Sequence, residues 1–431
     1  MKIGILAQYL DTRPDISELI NRLSEEHEVV VFQKRNDPRS PLLKPSVAIR
    51  FFSRTLSTSH KIWNVLFKAF GKIPVSKHNY FITEDFKIQN SPSYGANWRT
   101  WWNKWLLWLN YNLPGFISYD FFIGKMQNSV VAELEDIDVF LCYSQIYDDG
   151  FFGQLVEKQK KIYVLVYSWD HPCKMKCFSR QNVQYLVWNT DIENDMVALQ
   201  GIDRNRIRIV GTSQFGYLKK FMEAPDRKSL KLPFPYLYFA FSTGTLSLAL
   251  QEIAVIRTIA PYLAKHWPEA KLMLRAYPFF KQKQLYNDLL QLGNIVFETD
   301  APAGSDVYGK MRHKYQYMDH AVAFLHFGTT LGVEATFLDA PVFFLSLKQE
   351  KLEPNLYYFI HQYQNDAYLH KANLVNTIEK YTDLDAIIPM LKRKDPELLA
   401  YNQAVTRTFS CETFEVYSDR IGKMVTEEPL V

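Results

Sequence analysis

Short unbroken apolar runs alternate along this chain with longer stretches in which apolar residues recur every three or four positions. The pattern is complete within residues 1–33. KIGILAQ reads as a buried strand. DISELINRLSEEH carries Ile16, Leu19, Ile20 and Leu23 on one helical face with Asp15 as the expected N-cap, and EVVVFQ reads as a second buried strand. Unbroken Val/Ile runs joined by amphipathic helices are what a parallel sheet covered on both faces requires. Strands are predicted again in IDVFLCYSQ (137–145), KIYVLVYSW (161–169), VQYLVWN (183–189) and RIRIVGTSQ (206–214), with GFFGQLVEKQ and DIENDMVALQG as helices among them.

The alternation pauses over a polar, proline-bearing stretch, about 213–232, and then restarts. YLYFAFS, AKLMLRAYP and NIVFET read as strands, SLALQEIAVIRTIAPYLAKHW and QLYNDLLQLG as helices, and YQYMDHAVAFLHFG as a helix running into a strand. The expectation is two doubly wound α/β domains, 1–215 and 232–395, facing a central cleft with ligands at the carboxyl ends of the strands. A helical tail, roughly 395–425 within 396–431, is expected to pack back on the first domain. Residues 34–135 are an aromatic, partly helical insertion.

Inside that insertion, NWRTWWNKWLLWLNYNLPGF places five of the nine tryptophans within eleven residues. Trp98, Trp101, Trp102, Trp105 and Trp108 share one helical stripe, with Arg99, Asn103 and Lys104 opposite. Three readings of 98–109 stay open: core packing, contact with a membrane surface where lipid-linked acceptors reside, or the wall of an acceptor groove.

Composition narrows the class. A net charge of +4 over 431 residues is too mild to argue for nucleic acid. Four cysteines do not make a disulfide framework, and reduced cytoplasmic thiols fit them better. The first apolar run is short for a signal peptide, and no run approaches the roughly 20 residues that span a bilayer. A soluble cytoplasmic protein, at most resting on the inner face of the membrane, is expected. His171, Cys173 and Cys177 lack a second ligand pair at zinc spacing, so no metal is expected.

The densest candidate chemistry lies in HFGTTLGVEA. A helix N-terminus offers unpaired N–H groups and partial positive charge to a phosphate. Gly328 permits close approach, Thr329 and Thr330 add hydroxyls, and Glu334 lies on the same face as Thr330. A plain threonine cap with Glu334 facing solvent is the competing account. The stretch resembles the STxxxEA…G-x-PV segment in the C-terminal domain of GT-B glycosyltransferases and their UDP-sugar epimerase relatives. That resemblance implies Thr329 and Thr330 on the nucleotide diphosphate and Glu334 on the ribose.

Two further segments fit the same family. FAFSTGTLS puts Ser242, Thr243, Gly244 and Thr245 directly after the first strand of the second domain, where the resemblance places a loop across from the donor phosphates. LMLRAYP resembles the R-x-HP stretch of bacterial members. Arg275 keeps the cation, but Tyr277 stands where the His would be, so that nucleotide contact does not carry over.

In the first domain, VYSWDHPCKMKC and LVWNTDIENDMVALQGIDRNRIRIVGTSQF resemble the SWD and VWN…GI…RI-x-VVG runs of surface-polysaccharide transferases. Asp170, with His171 beside it, is the preferred general base toward an acceptor hydroxyl. Asp148 and Asp149 in YSQIYDDGFFG are rivals and Asp11 a weaker one, with turn and helix capping as the structural account of each. The resemblance therefore implies a metal-independent GT-B transferase. Its co-substrate is a nucleotide sugar, it uses no other cofactor, and its acceptor is a glycan or lipid-linked hydroxyl in surface polysaccharide synthesis. A UDP-sugar 2-epimerase-like enzyme and a non-catalytic GT-B-like glycan- or partner-binding subunit remain as alternatives.

Overall fold

A computed structural model describes the chain except residues 7–9, 11–12, 35–38, 55–56, 75–76, 90–94, 96, 144–148, 170–171, 173–176, 243–245, 278–281, 362–368, 370–373 and 428–431. The chain forms two compact units, 1–216 with 412–431, and 217–411.

The first unit is built on an eight-stranded sheet. β1 (Lys2–Leu6), β2 (Glu28–Lys34) and β3 (Ala48–Arg54) lie on one side, with the short antiparallel β4 (Val130–Val131) at the edge. β5 (Val139–Tyr143), β6 (Lys161–Leu165), β7 (Gln184–Val187) and β8 (Ile207–Ile209) continue it in parallel. The order β4-β3-β2-β1-β5-β6-β7-β8 reverses direction between β1 and β5, the usual place for ligands in a doubly wound sheet. Gly4 is required there, because a Cβ on it would run into the Phe140 ring of β5.

Helix α1 (Pro14–Leu23) begins two residues earlier than the capping pattern suggested. Arg13 is the N-cap and Pro14 occupies N1, where a fixed φ and a missing N–H cost nothing. Asp15 therefore caps nothing through its side chain, and its carboxylate serves the cluster described below.

The insertion holds β3 and four helices, α2 (Thr58–Phe70), α3 (Lys77–Gln89), α4 (Trp98–Asn112) and α5 (Tyr119–Met126). α2 and α3 both pack on α4. The polarity of α4 is inverted relative to an ordinary surface helix. Thr100, Leu106, Leu107 and Asn110 are the buried face, and Asn110 Nδ2 donates to Gly71 O at 3.2 Å. Trp98, Trp101, Trp105 and Trp108 face outward. Core packing is thereby excluded for these four. α6 (Asp149–Glu157) and α7 (Thr190–Gln200) complete the helices flanking β5 to β8, and α8 (Gly216–Met222) leads into the second unit.

The second unit is a six-stranded, all-parallel sheet in the order β11-β10-β9-β12-β13-β14. The chain runs β9 (Tyr236–Ala240), α9 (Leu246–His266), β10 (Lys271–Arg275), β11 (Ile295–Phe297), α10 (Val307–His320), β12 (Ala323–His326) and α11 (Thr330–Ala335). It continues through β13 (Val342–Leu345), α12 (Pro354–His361), β14 (Thr377–Ile378), α13 (Leu384–Arg393) and α14 (Ala400–Thr406). QLYNDLLQLG winds as a 3-10 segment, Lys283–Leu292, rather than an α-helix. The direction of winding reverses between β9 and β12. α9 is the one helix among the described residues long and apolar enough to cross a membrane, and half of it is buried in this unit.

The tail is not one helix. α14 stays with the second unit, and α15 (Phe414–Glu427) belongs to the first. The intervening TFSCET, 408–413, is rich in hydroxyl and β-branched residues that favour caps over helix interiors. α15 packs on α1, with Tyr417, Ile421 and Val425 entering the same core as Ile16, Leu19 and Ile20.

Candidate functional site

Strand register sets the candidate site of the second unit. Arg275 of β10 pairs with Ala240 of β9, and His326 of β12 pairs with Phe344 of β13. Glu298 follows β11 immediately after Phe297, the partner of Leu274. These residues line up along the carboxyl edge, and the loops after β9 and β12 leave it on either side of the winding reversal.

His326 organises the loop after β12. Its ring is fully buried, and Nδ1 accepts from the N–H of Gly328 at 3.1 Å and of Thr329 at 3.4 Å. Nδ1 is thus the acceptor and Nε2 carries the proton. Nε2 faces the Tyr401 hydroxyl at 3.3 Å, which donates to Leu369 O at 2.9 Å. Gly328 has φ +94°, a left-handed conformation that only glycine adopts freely, and this turns the two amides toward the imidazole.

Thr329 is the N-cap of α11, accepting from Gly332 N–H at 3.0 Å through Oγ1. Thr330 opens the helix. Glu334 does not face solvent: it is buried, and Lys314 Nζ of α10 donates to its Oε2 at 2.5 Å. Burial lowers the Lys314 pKa from its ordinary value, with Glu334 opposing the shift.

Arg275 is committed to Glu298, whose other oxygen accepts from the buried Tyr238 hydroxyl. Burial, and then the Glu298 charge, push that phenol well above its usual range. Ser242 turns inward as well. Its N–H at 3.0 Å and its hydroxyl both donate to Oε1 of Glu252 on α9. Glu252 is fully buried, its Oε2 meets no hydrogen-bond partner among the described residues, and burial pushes its carboxyl up to about 8. Thr243, Gly244 and Thr245 lie outside the described residues.

The preferred catalytic candidates of the first unit, Asp170, His171 and Asp148, also lie outside them. Asp149 opens α6 and accepts from the Tyr119 hydroxyl at 2.6 Å. A cluster missed in the sequence occupies the carboxyl edge of this sheet. Arg13 donates from Nε and Nη2 to the two oxygens of Asp15, each at 2.7 Å, and its guanidinium lies 4.1 Å from the Tyr167 ring centroid. Ser213 Oγ donates to Asp15 at 2.8 Å. Burial works against the Asp15 charge, but the bidentate Arg13 outweighs it and holds the carboxyl below its usual range. Pairs separated by up to 198 residues leave no local signal. Among the described residues no group of His, Cys, Asp and Glu is placed to hold a metal ion.

A cavity of about 420 Å³ in the second unit, lined by Ala321, Val322, Pro341 and Pro396, lies at the amino edge of the sheet, away from these groups.

No family model and no curated protein matches the chain. Solved structures do. S. aureus MnaA, in its co-structure with UDP, aligns over 99% of this chain and 98% of its own at 11% identity, with a TM-score of 0.52. UDP-GlcNAc 2-epimerase from Neisseria meningitidis, bound to UDP-GlcNAc, aligns over 99% and 100% at 10% identity, with a TM-score of 0.50. A glycosyltransferase from Rickettsia africae ESF-5 aligns over 99% of both chains at 10% identity, but its TM-score of 0.49 is too low to weigh. At such identities the likeness is one of fold. The chain has the two Rossmann-like domains of the GT-B fold.

Proposed function

We propose that this protein is a GT-B glycosyltransferase that moves a sugar from a nucleotide-sugar donor to a hydroxyl of a glycan or lipid-linked acceptor, in building a bacterial surface polysaccharide. The observation that carries the reading is the convergence of Ser242, Arg275 and the Gly328–Thr330 turn on one sheet edge at the reversal of winding, where doubly wound folds bind nucleotides. On this reading the 242–245 loop, Thr329, Thr330 and Arg275 hold the donor diphosphate. Glu334, anchored by Lys314 through Oε2, offers Oε1 to a ribose hydroxyl.

In the transfer, the acceptor O–H proton passes to a carboxylate of the first unit, Asp170 by preference. The acceptor oxygen bonds to the anomeric carbon as the bond to the diphosphate breaks, and the nucleoside diphosphate departs. Backbone N–H groups at the start of α11, with Arg275 turning from Glu298 toward the phosphate, offset the charge of that leaving group in place of a metal. If configuration is retained, the base has no role and donor positioning dominates.

The fold likeness to an epimerase solved with UDP-GlcNAc favours a second reading, C2 epimerisation of the donor without an acceptor. Tyr277 in place of the family His favours a non-catalytic binding subunit. A thermal-shift panel of UDP, CMP, GDP and their sugars separates these readings. Tight binding at a hundredfold excess over Kd stabilises by about 2.7 kcal/mol. The transferase reading expects one nucleotide class to raise the Tm and no NMR-detectable epimer from the donor alone. No stabilisation by any nucleotide would overturn both enzymatic readings, and an unchanged transfer rate in Asp170→Asn would remove Asp170 as base.

A further inference from the structure

The outward face of α4 is a surface the sugar-transfer reading does not use. Trp98 is 71% exposed, Trp101 65%, Trp105 38% and Trp108 54%. At 3.6 residues per turn these four fall on one stripe along a helix about 22 Å long. Leaving such rings in water while burying Thr100 and Asn110 reverses the usual economy of a soluble helix. A patch of this kind marks an interaction surface.

The surrounding charge selects the partner. α4 contains no acidic residue. Arg99 lies against one border of the stripe, its guanidinium carbon 5.7 Å from the Trp98 ring centroid. Lys104 lies on the other border, in an open groove of about 480 Å³ that it shares with Trp101, Trp105 and Trp108. Asp85, 3.5 Å from Lys104, is the acidic group facing this border. Residues 57–126 hold eight Lys or Arg against three Asp or Glu, an excess of five, while the whole chain has an excess of four. The positive charge is therefore concentrated in the helical segment that includes α4.

We propose that α4 docks this protein flat on an anionic lipid bilayer. The tryptophan stripe sits at the boundary between headgroups and acyl chains, and Arg99 and Lys104 meet anionic headgroups on either border. Indole suits that boundary because its ring is apolar and its N–H reaches the wet side. A sugar-stacking platform fits less well, since the stripe runs over three turns and Asp85, the carboxylate lining the groove, is engaged by Lys104. Binding combines buried apolar area with attraction of about 1 kcal/mol for each basic residue near an anionic surface, so it weakens with salt.

The test is flotation of the full chain with phosphatidylcholine vesicles, with and without a minority of phosphatidylglycerol. The protein should float with the anionic vesicles, less so in high salt, and its tryptophan fluorescence should be quenched by lipids brominated in the acyl chains. The triple variant Trp98→Ser, Trp101→Ser, Trp108→Ser, altered at exposed positions only, should keep its circular dichroism and bind at least about tenfold more weakly. The quenching needs no variant, so it stands even if the triple variant misfolds. Failure of the native chain to float with anionic vesicles, or a folded triple variant that floats equally well, overturns the proposal. Retention on polysaccharide without vesicle binding also overturns it.

Discussion

Glu252 shows how a residue unremarked in the sequence acquires a shifted proton equilibrium in the structure. In QEIAVIRTIA it reads as one polar position of an amphipathic helix, yet it is fully buried and linked to Ser242 of the candidate phosphate loop. Its folded pKa of about 8 lies above the ordinary 4.5, so across that window the folded state holds a proton that the unfolded chain has released. Stability from this group is fully present below about pH 4.5 and is lost as pH climbs toward 8. Glu252→Gln keeps an acceptor for Ser242 and carries no titrating proton. Its Tm should match the native value at pH 5 and exceed it at pH 8, by stability on the order of a few kcal/mol. A Tm difference independent of pH would show that Glu252 is not held protonated. His326 and Lys314 were equally hidden, the first as a strand residue and the second as a helix residue 20 positions from its partner Glu334.

At the scale of elements the sequence was most legible where periodicity alone decides. The strands β1, β5, β6, β9 and β10 lie inside the runs that predicted them, and β2 overruns its own by one residue, Lys34. Legibility failed where tertiary packing overrides pattern. The five-tryptophan stripe of α4 was recognisable as a stripe, but its direction depended on Thr100 being buried and on Asn110 finding a partner inside. β3 was missed because AIRFFSR is interrupted by arginines on a strand with one wet side. The candidate turn was placed correctly after β12, but its inner wiring was not readable. A Cβ at Gly332 of α11 would overlap the His326 ring. Gly332→Ala should therefore displace the imidazole, strip the Gly328 and Thr329 amides of their acceptor and destabilise the second unit by about 1–3 kcal/mol. A urea midpoint equal to that of the native chain would show that the ring has room to move.

At the scale of the molecule, two α/β units could be read from the restart of the alternation near residue 232, and the tail was expected to return to the first, but the point of return, after Cys411 rather than near 396, was not readable. No local pattern in α15 says which core receives Tyr417, Ile421 and Val425. A chain ending at Cys411 leaves the outer face of α1 uncovered, at a cost of about 1.5–3 kcal/mol for each large apolar side chain no longer buried. Limited proteolysis of that shortened chain should digest the first unit and leave a resistant fragment spanning about 217–411. Equal resistance of both parts would mean that α15 is dispensable to the first core.

Because α15 closes the first unit, the order of synthesis and the order of folding cannot coincide. The ribosome releases residues 1–216 early, but the last helix of that core emerges only after the whole of 217–411 has been made. The second unit is free to fold first, while the N-terminal sheet waits on the nascent chain with the α1 face open. Premature termination before α15 is complete, within 412–427, would then release a protein damaged at its beginning.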